Sequence, residues 1–172
     1  MKYYYNDLVN KNIIPDDCTE YTCRYKYFVS QQMIQLPELP SALQYLLCDT
    51  NNLIKLPELP LSLIKLDCHS NKLTELPELP PLLTELYCGY NNLTELPELP
   101  ELSLKILCCC NNKISLLPKL PQNLTHLYCF WNKLTELPEL PITLTEIINC
   151  SSNLLTELPK LPDALKHLEC SH

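Results

Sequence analysis

Glycine is almost missing: the chain of 172 residues contains one, Gly89, and a single tryptophan, Trp131. Glycine loops that cradle phosphates are therefore excluded, and turns that need a left-handed backbone are expected to fall to asparagine. No apolar run approaches the ~18 residues that cross a bilayer, so no membrane partner is expected. Positive charge is also scarce, with 13 Lys and Arg against 20 Asp and Glu, a net charge of −7. Residues 1–32 carry four of each sign, so the whole excess falls on the rest of the chain. Affinity for phosphate backbones rests on clustered Lys and Arg, which argues against nucleic acid as a partner. The start is polar and tyrosine-rich, without the ~7–15-residue apolar core of a secretory signal. Specialised export machinery would leave no such mark.

What the chain has in abundance is self-similarity. The stretch from Asn71 to Asn91, NKLTELPELPPLLTELYCGYN, is a unit that recurs about seven times at a period of 20 residues. Such a period marks a solenoid of stacked coils, because one unit cannot bury its apolar face alone. Leu43, Leu46, Cys48, Asn51 and Leu53 set the pattern; Leu63, Leu66, Cys68, Asn71 and Leu73, then Leu83, Leu86, Cys88, Asn91 and Leu93, repeat it. After an insertion between Pro100 and Leu104 the layer is Leu104, Leu107, Cys109, Asn112 and Ile114, followed by Leu124, Leu127, Cys129, Asn132 and Leu134. A second insertion leads to Ile148, Cys150, Asn153 and Leu155, and the last unit holds Leu165, Leu168 and Cys170.

Seven of the 11 cysteines fall at one repeat position. Neighbours in a parallel ladder stand about 4.7–4.9 Å apart with side chains pointing the same way, beyond the ~3.5–4.5 Å that bonded Cβ atoms want. They read as reduced, small, buried hydrophobes in an intracellular, reducing compartment. The recurring Asn has an amide suited to backbone groups of the turn and of the next coil, which explains a polar residue at a buried position. Prolines such as Pro77 and Pro80 forbid helix on the outer side.

Residues 1–32 lack the repeat and are expected to form an N-terminal cap, leaving residues 33–172 as the repeats. Asn6 is placed to start a short helix ending near Ile13 before Pro15. Tyr21, Cys23, Tyr25, Tyr27 and Val29 alternate with polar residues, a strand pattern. Counting back one period from the first good unit puts Phe28 at the cysteine position, Gln31 at the asparagine position and Met33 at the leucine that follows. Cys18 and Cys23 are assigned to cap packing. After Cys170 the stack stops before its Asn, so the last strand and its apolar layer either fray or pair with another copy; fraying is the expectation, self-association the alternative.

From Met33 to His172 these positions resemble the leucine-rich repeat consensus. The LPELP at residues 36–40, 56–60, 76–80 and 96–100 is similar to the short repeats of secreted bacterial effectors of the invasion-plasmid-antigen class, and similar units occur in large viruses of amoebae. The resemblance implies a right-handed solenoid with a parallel sheet on the concave side and an extended, polyproline-like convex side. If the chain is an effector or viral protein, the resemblance makes host cytoplasm its setting. Effector enzymes of that class carry a ubiquitin-ligase domain after the repeats. Nothing matching it follows here, so ligase activity is not carried over; a ligase-related protein working with a separate catalytic part is the alternative, and a structural array without a ligand is another.

The variable strand residues between the apolar ones spell the concave wall. One row reads Leu47, Asp67, Tyr87, Cys108, Tyr128, Asn149 and Glu169; the next reads Asp49, His69, Gly89, Cys110, Phe130, Ser151 and Ser171, with Tyr90, Asn111 and Trp131 beside it. Tyr87, Tyr90, Tyr128, Phe130 and Trp131 gather around Cys108 and Cys110 with His126 near, an aromatic cluster of the kind that forms a protein-binding hot spot. The competing reading is cross-strand pairing that stabilises the sheet. Cys108 and Cys110 stand about 6.5–7 Å apart on a flat strand with no turn to fold them together, so they are read as surface or partly covered thiols; no metal and no cofactor are expected. Glu75, Glu95, Glu136 and Glu157, with Glu38, Glu58, Glu78, Glu98 and Glu139, recur with the repeat as a solvated convex surface. No nucleophile, base and orienter can be assembled, so the expected function is non-catalytic binding of a protein partner.

Overall fold

The computed structural model describes residues 2–4, 14–23 and 33–171. Strands β1 (Lys2–Tyr4), β2 (Glu20–Thr22), β3 (Tyr45–Leu47), β4 (Lys65–Asp67), β5 (Glu85–Tyr87), β6 (Ile106–Cys108), β7 (His126–Tyr128), β8 (Ile147–Asn149) and β9 (His167–Glu169) pair in chain order into one parallel sheet. Each strand is three residues long. The chain therefore turns once per repeat, and among the described residues no helix is long and apolar enough to cross a membrane. The leucine-rich solenoid expected from the repeats is the observed architecture.

The middle residue of each strand faces the interior. Leu46, Leu66, Leu86, Leu107, Leu127 and Ile148 are fully buried and stand opposite one another in the strand register, flanked by the buried thiols of Cys48, Cys68, Cys88, Cys109 and Cys129. Two residues apart on a strand means one side of the sheet, which is why the leucine and cysteine columns share a core. The backbone bends after each LPxLP, where a leucine N–H donates to a proline carbonyl, as from Leu63 to Pro60 at 3.0 Å. In the unit with the first insertion this bond spans one residue more, Leu104 to Pro100 at 3.3 Å, so the extra residue is absorbed on the convex side. In the last coil Leu155, Leu158, Leu161, Leu165 and Leu168 are half-buried.

The described residues before Met33 depart from the simple count. Tyr21 pairs with Leu46 and Thr22 with Leu47, which puts Cys23, not Phe28, in line with Cys48. Counting back works for Met33, whose N–H donates to Asn51 Oδ1 as Leu53 N–H does to Asn71. It fails upstream because ten positions, rather than five, separate Cys23 from Met33. The buried triplet Cys18, Tyr21 and Cys23 occupies the Leu-x-x-Leu-x-Cys places. The helix expected at residues 6–13 and the strand positions Tyr25, Tyr27 and Val29 lie outside the described residues, as do Phe28 and Gln31.

Each repeat asparagine joins two coils. Asn71 Nδ2 donates to the carbonyls of Cys48 at 3.1 Å, Cys68 at 3.0 Å and His69 at 3.2 Å, and its Oδ1 accepts from Leu53 N–H at 3.0 Å. The same set recurs at Asn51, Asn91, Asn112, Asn132 and Asn153, always toward the preceding coil and not the next one as expected, because the turn brings each amide over the carbonyl of the coil before it. These asparagines do not take the left-handed turn expected of them. That conformation belongs to the residue before each: Thr50, Ser70, Tyr90, Asn111, Trp131 and Ser152, with φ of 50–56°. A left-handed non-glycine residue costs about 1–2 kcal/mol. The cost is met by neighbours, since Tyr90 N–H donates to Cys110 O and Trp131 N–H to Ser151 O, while their carbonyls accept from Asn71 and Asn112.

Asn71→Ala leaves Leu53 N–H and the Cys48 carbonyl without that partner inside the protein. We expect a loss of about 2–5 kcal/mol in denaturant unfolding at unchanged slope, and at least as large a loss for Asn71→Asp, which cannot donate. Burial pushes the thiols of Cys68, Cys88, Cys109 and Cys129 upward, and Cys48 is raised first by its contact with Cys23 and then by burial. An unfolded thiol ionises near 9.0 while these keep their protons, so above that pH the unfolded chain binds fewer protons and stability falls as pH rises. Each fully buried thiol contributes about 1.4 kcal/mol per pH unit to the fall. Thermal unfolding between about pH 9 and pH 10.5 should show it, with the slope reduced by one proton in Cys68→Ala.

Candidate functional site

The outward-facing strand residues form the concave wall in three rows. The row on the near side of the core, Tyr45, Lys65, Glu85, Ile106, His126, Ile147 and His167, is the one sequence reasoning did not spell out, although simple alternation from the central row points to it. It matters because it engages the aromatics. Lys65 Nζ sits 2.7 Å from Glu85 Oε2 and 4.9 Å from the Tyr87 ring centre, and Tyr87 donates its hydroxyl to Glu85 at 3.2 Å. Burial first, and then Glu85, raise the Tyr87 phenol to about 12, so it remains a donor.

Tyr87, Tyr128 and Phe130 are half-buried and line, with Ile106, Cys108 and His126, a shallow depression of about 360 Å³. His126 stacks on Tyr128 at 6.4 Å and holds Thr125 Oγ1 at 2.8 Å. Trp131 and Tyr90 stand on the left-handed turns at the edge of the wall, 52% and 43% exposed. Trp131 meets Phe130 edge-on at 5.6 Å and Tyr90 at 6.5 Å, the latter contact reaching across the coil that carries Asn111. The expected aromatic cluster is thus assembled over three coils. Cys110 is not on its surface: it is 4% exposed, below Cys108, which is half-buried.

The two sulfurs lie 3.5 Å apart, closer than a flat strand suggests. The reason is on the neighbouring coil. A Cβ at Gly89 would stand 2.7 Å from Cys110 Sγ and 3.1 Å from its carbonyl oxygen, so the one glycine supplies space, not a left-handed turn. Contact with the Cys110 side chain, then the Cys110 backbone and His69, brings the Cys108 thiol down to about 7 against the opposing effect of burial, while Cys110 is pushed far up.

Two and three coils away, Asp67 and Asp49 are buried carboxylates that hold His69 between them. Nδ1 is 2.6 Å from Asp67 Oδ1 and Nε2 is 3.9 Å from Asp49 Oδ2. Among the described residues this is the group that could hold a metal ion, with one ligand atom from each residue inside a 4.8 Å span. Both ring nitrogens face carboxylates, so the imidazole is not turned toward Cys108 as a base. The glutamates of the convex side are exposed and repeat with the coils.

The chain matches no protein-family model and no curated protein. Solved structures do resemble it. YopM from Yersinia enterocolitica superposes with a TM-score of 0.84 at 40% identity, over 92% of this chain and 34% of the YopM chain. A Shigella effector LRR domain does so with a TM-score of 0.67 at 33% identity, over 88% of this chain and 74% of that one. The functional domain of InlJ from Listeria monocytogenes, which includes a cysteine ladder, gives a TM-score of 0.54 at 28% identity over 91% of this chain and 44% of its own. The chain is a leucine-rich repeat protein with repeats of the bacterial-effector type. It spans about a third of the YopM chain it matches.

Proposed function

We propose that this chain is a non-catalytic protein-interaction module that takes its partner on the concave wall, over Tyr87, Tyr90, Cys108, Tyr128, Phe130 and Trp131. The observation that carries the reading is Trp131, the one tryptophan, held 52% exposed on a strained backbone with two aromatic neighbours at its side. Pairing across strands does not require that exposure, whereas a partner would bury the ring and repay its desolvation. The acidic repeats leave phosphate backbones a poor counterpart. We infer a reducing, intracellular setting from thiols that pack as hydrophobes in successive coils from Cys48 to Cys150. Near Cys108 the histidines are engaged elsewhere, His69 with two aspartates and His126 with Thr125, which favours binding over catalysis at the aromatic wall.

Trp131→Asn separates recognition from stability. Asparagine tolerates the left-handed turn better than tryptophan, so thermal stability should hold or rise, while capture of the wild-type chain's partner from native host cells should drop at least ~10-fold, as expected of a central aromatic anchor. Equal capture by the variant would remove the concave aromatic cluster from the interface. The same capture run with Glu75→Ala and Glu95→Ala on the convex side should be unaffected.

A further inference from the structure

We propose that Cys108 and Cys110 form a reversible redox pair on the concave wall: a hydroperoxide oxidises Cys108, and Cys110 resolves the product into an intrachain disulfide. Four observations assemble the site. The sulfurs are 3.5 Å apart, near enough for one to attack the other with a small rotation. Cys108 is reached from the depression lined by Tyr87, Tyr128 and Phe130, while Cys110 is buried and shielded from solvent. Gly89 leaves the space into which Cys110 Sγ leans, and no other residue type would leave it. The remaining described thiols from Cys48 to Cys150 point into the core and are buried.

The chemistry balances within these two side chains and the peroxide. Cys108 thiolate attacks the terminal peroxide oxygen, the O–O bond breaks, and the departing alkoxide or hydroxide takes up a proton to leave as alcohol or water. Cys108 is then a sulfenic acid. The Cys110 sulfur attacks the Cys108 sulfur, the S–O bond breaks, and hydroxide leaves with the Cys110 proton as water. Two thiols have lost two electrons and two protons, and one peroxide has been reduced. The lowered Cys108 thiol supplies thiolate at neutral pH, while the ladder thiols do not. Cys110 lies just past the end of β6, where the backbone leaves the extended strand, so ideal strand spacing does not hold the two thiols apart. The bond lies at the depression that gives access to Cys108, where a cellular thiol pool can return it to thiols.

Closing it draws Cys108 down onto Cys110 and removes a partly charged sulfur from the floor of the aromatic depression. A consequence for partner binding rests on the proposed function; the oxidation itself does not.

The reduced full chain is treated with one equivalent of hydrogen peroxide near neutral pH, quenched, unfolded, alkylated and digested. In the segment from Ile106 to Lys113 we expect one alkylated thiol, Cys109, and two hydrogen atoms lost between Cys108 and Cys110. The rate should fall to half as pH is lowered through about 7. Cys108→Ser should slow thiol loss within the segment from Ile106 to Lys113 at least ~10-fold, since Cys109 and Cys110 are buried while the exposed Cys170 lies in another segment. Cys110→Ser should stop at a sulfenic acid that a cyclic diketone traps. Oxidation of Cys108→Ser at the wild-type rate, a bond between ladder cysteines, or three alkylated thiols in the wild-type segment would each overturn the pair. Mapping the wild-type chain decides the matter even if a variant does not fold. A partner captured equally well by the oxidised chain would leave the pair standing and refute only its effect on binding.

Discussion

Everything in this fold depends on a side-chain amide that sits where a backbone would otherwise be left unpaired. The regular strands are three residues long, and although backbone N–H groups beyond them still reach the next coil, the chain turns away while the cysteine carbonyls are left inside the protein. The repeat asparagine closes that gap by donating to the cysteine carbonyls of its own and the preceding coil and accepting from the leucine N–H that follows the preceding turn. Each amide thereby replaces the bonds that a longer strand would have made, in a place too buried for water to do so. Stacking is coupled to turning, because the same residue does both, and neither the period nor the register can drift without losing it.

How far this was legible follows from where the controlling interaction lies. Leucine, cysteine and asparagine columns are fixed by burial within each repeat, so Leu86, Cys88 and Asn91 announce themselves in any unit. The left-handed turns did not, because six positions carry Thr, Ser, Tyr, Asn, Trp and Ser there. The side chain is irrelevant to the turn: backbone bonds to both neighbouring coils impose it, and a preference drawn from single residues points to the wrong position. The register before Met33 was hidden by an insertion between Cys23 and Met33, although Cys18, Tyr21 and Cys23 carry the repeat pattern with an aromatic in a leucine place. The closeness of Cys108 and Cys110 was hidden for another reason. It is decided by Gly89, a full coil away, and no pattern along one strand contains that information.

Imposed turns have a use. Where the backbone is over-determined, the residue on it is free to be large and exposed, as Tyr90 and Trp131 are. A glycine or asparagine chosen to relieve the strain would leave no ring there. The cost of about 1–2 kcal/mol at each such turn is spread over coils already held by four amide bonds apiece, so the wall displays aromatic groups that an isolated loop would not hold in place.

Gly89 extends the same reasoning from display to chemistry. Every other coil fills its place in that row with a side chain, and Phe130, two coils on, contributes a ring to the wall. An empty place in a regular array is itself a structural element, because the neighbours lean into it. Here it admits Cys110 and lowers that sulfur below the surface while Cys108 stays within reach of solvent. Two thiols that a flat strand would present side by side are thus ranked, one accessible and one sheltered, and that ranking lets one of them react while the other waits.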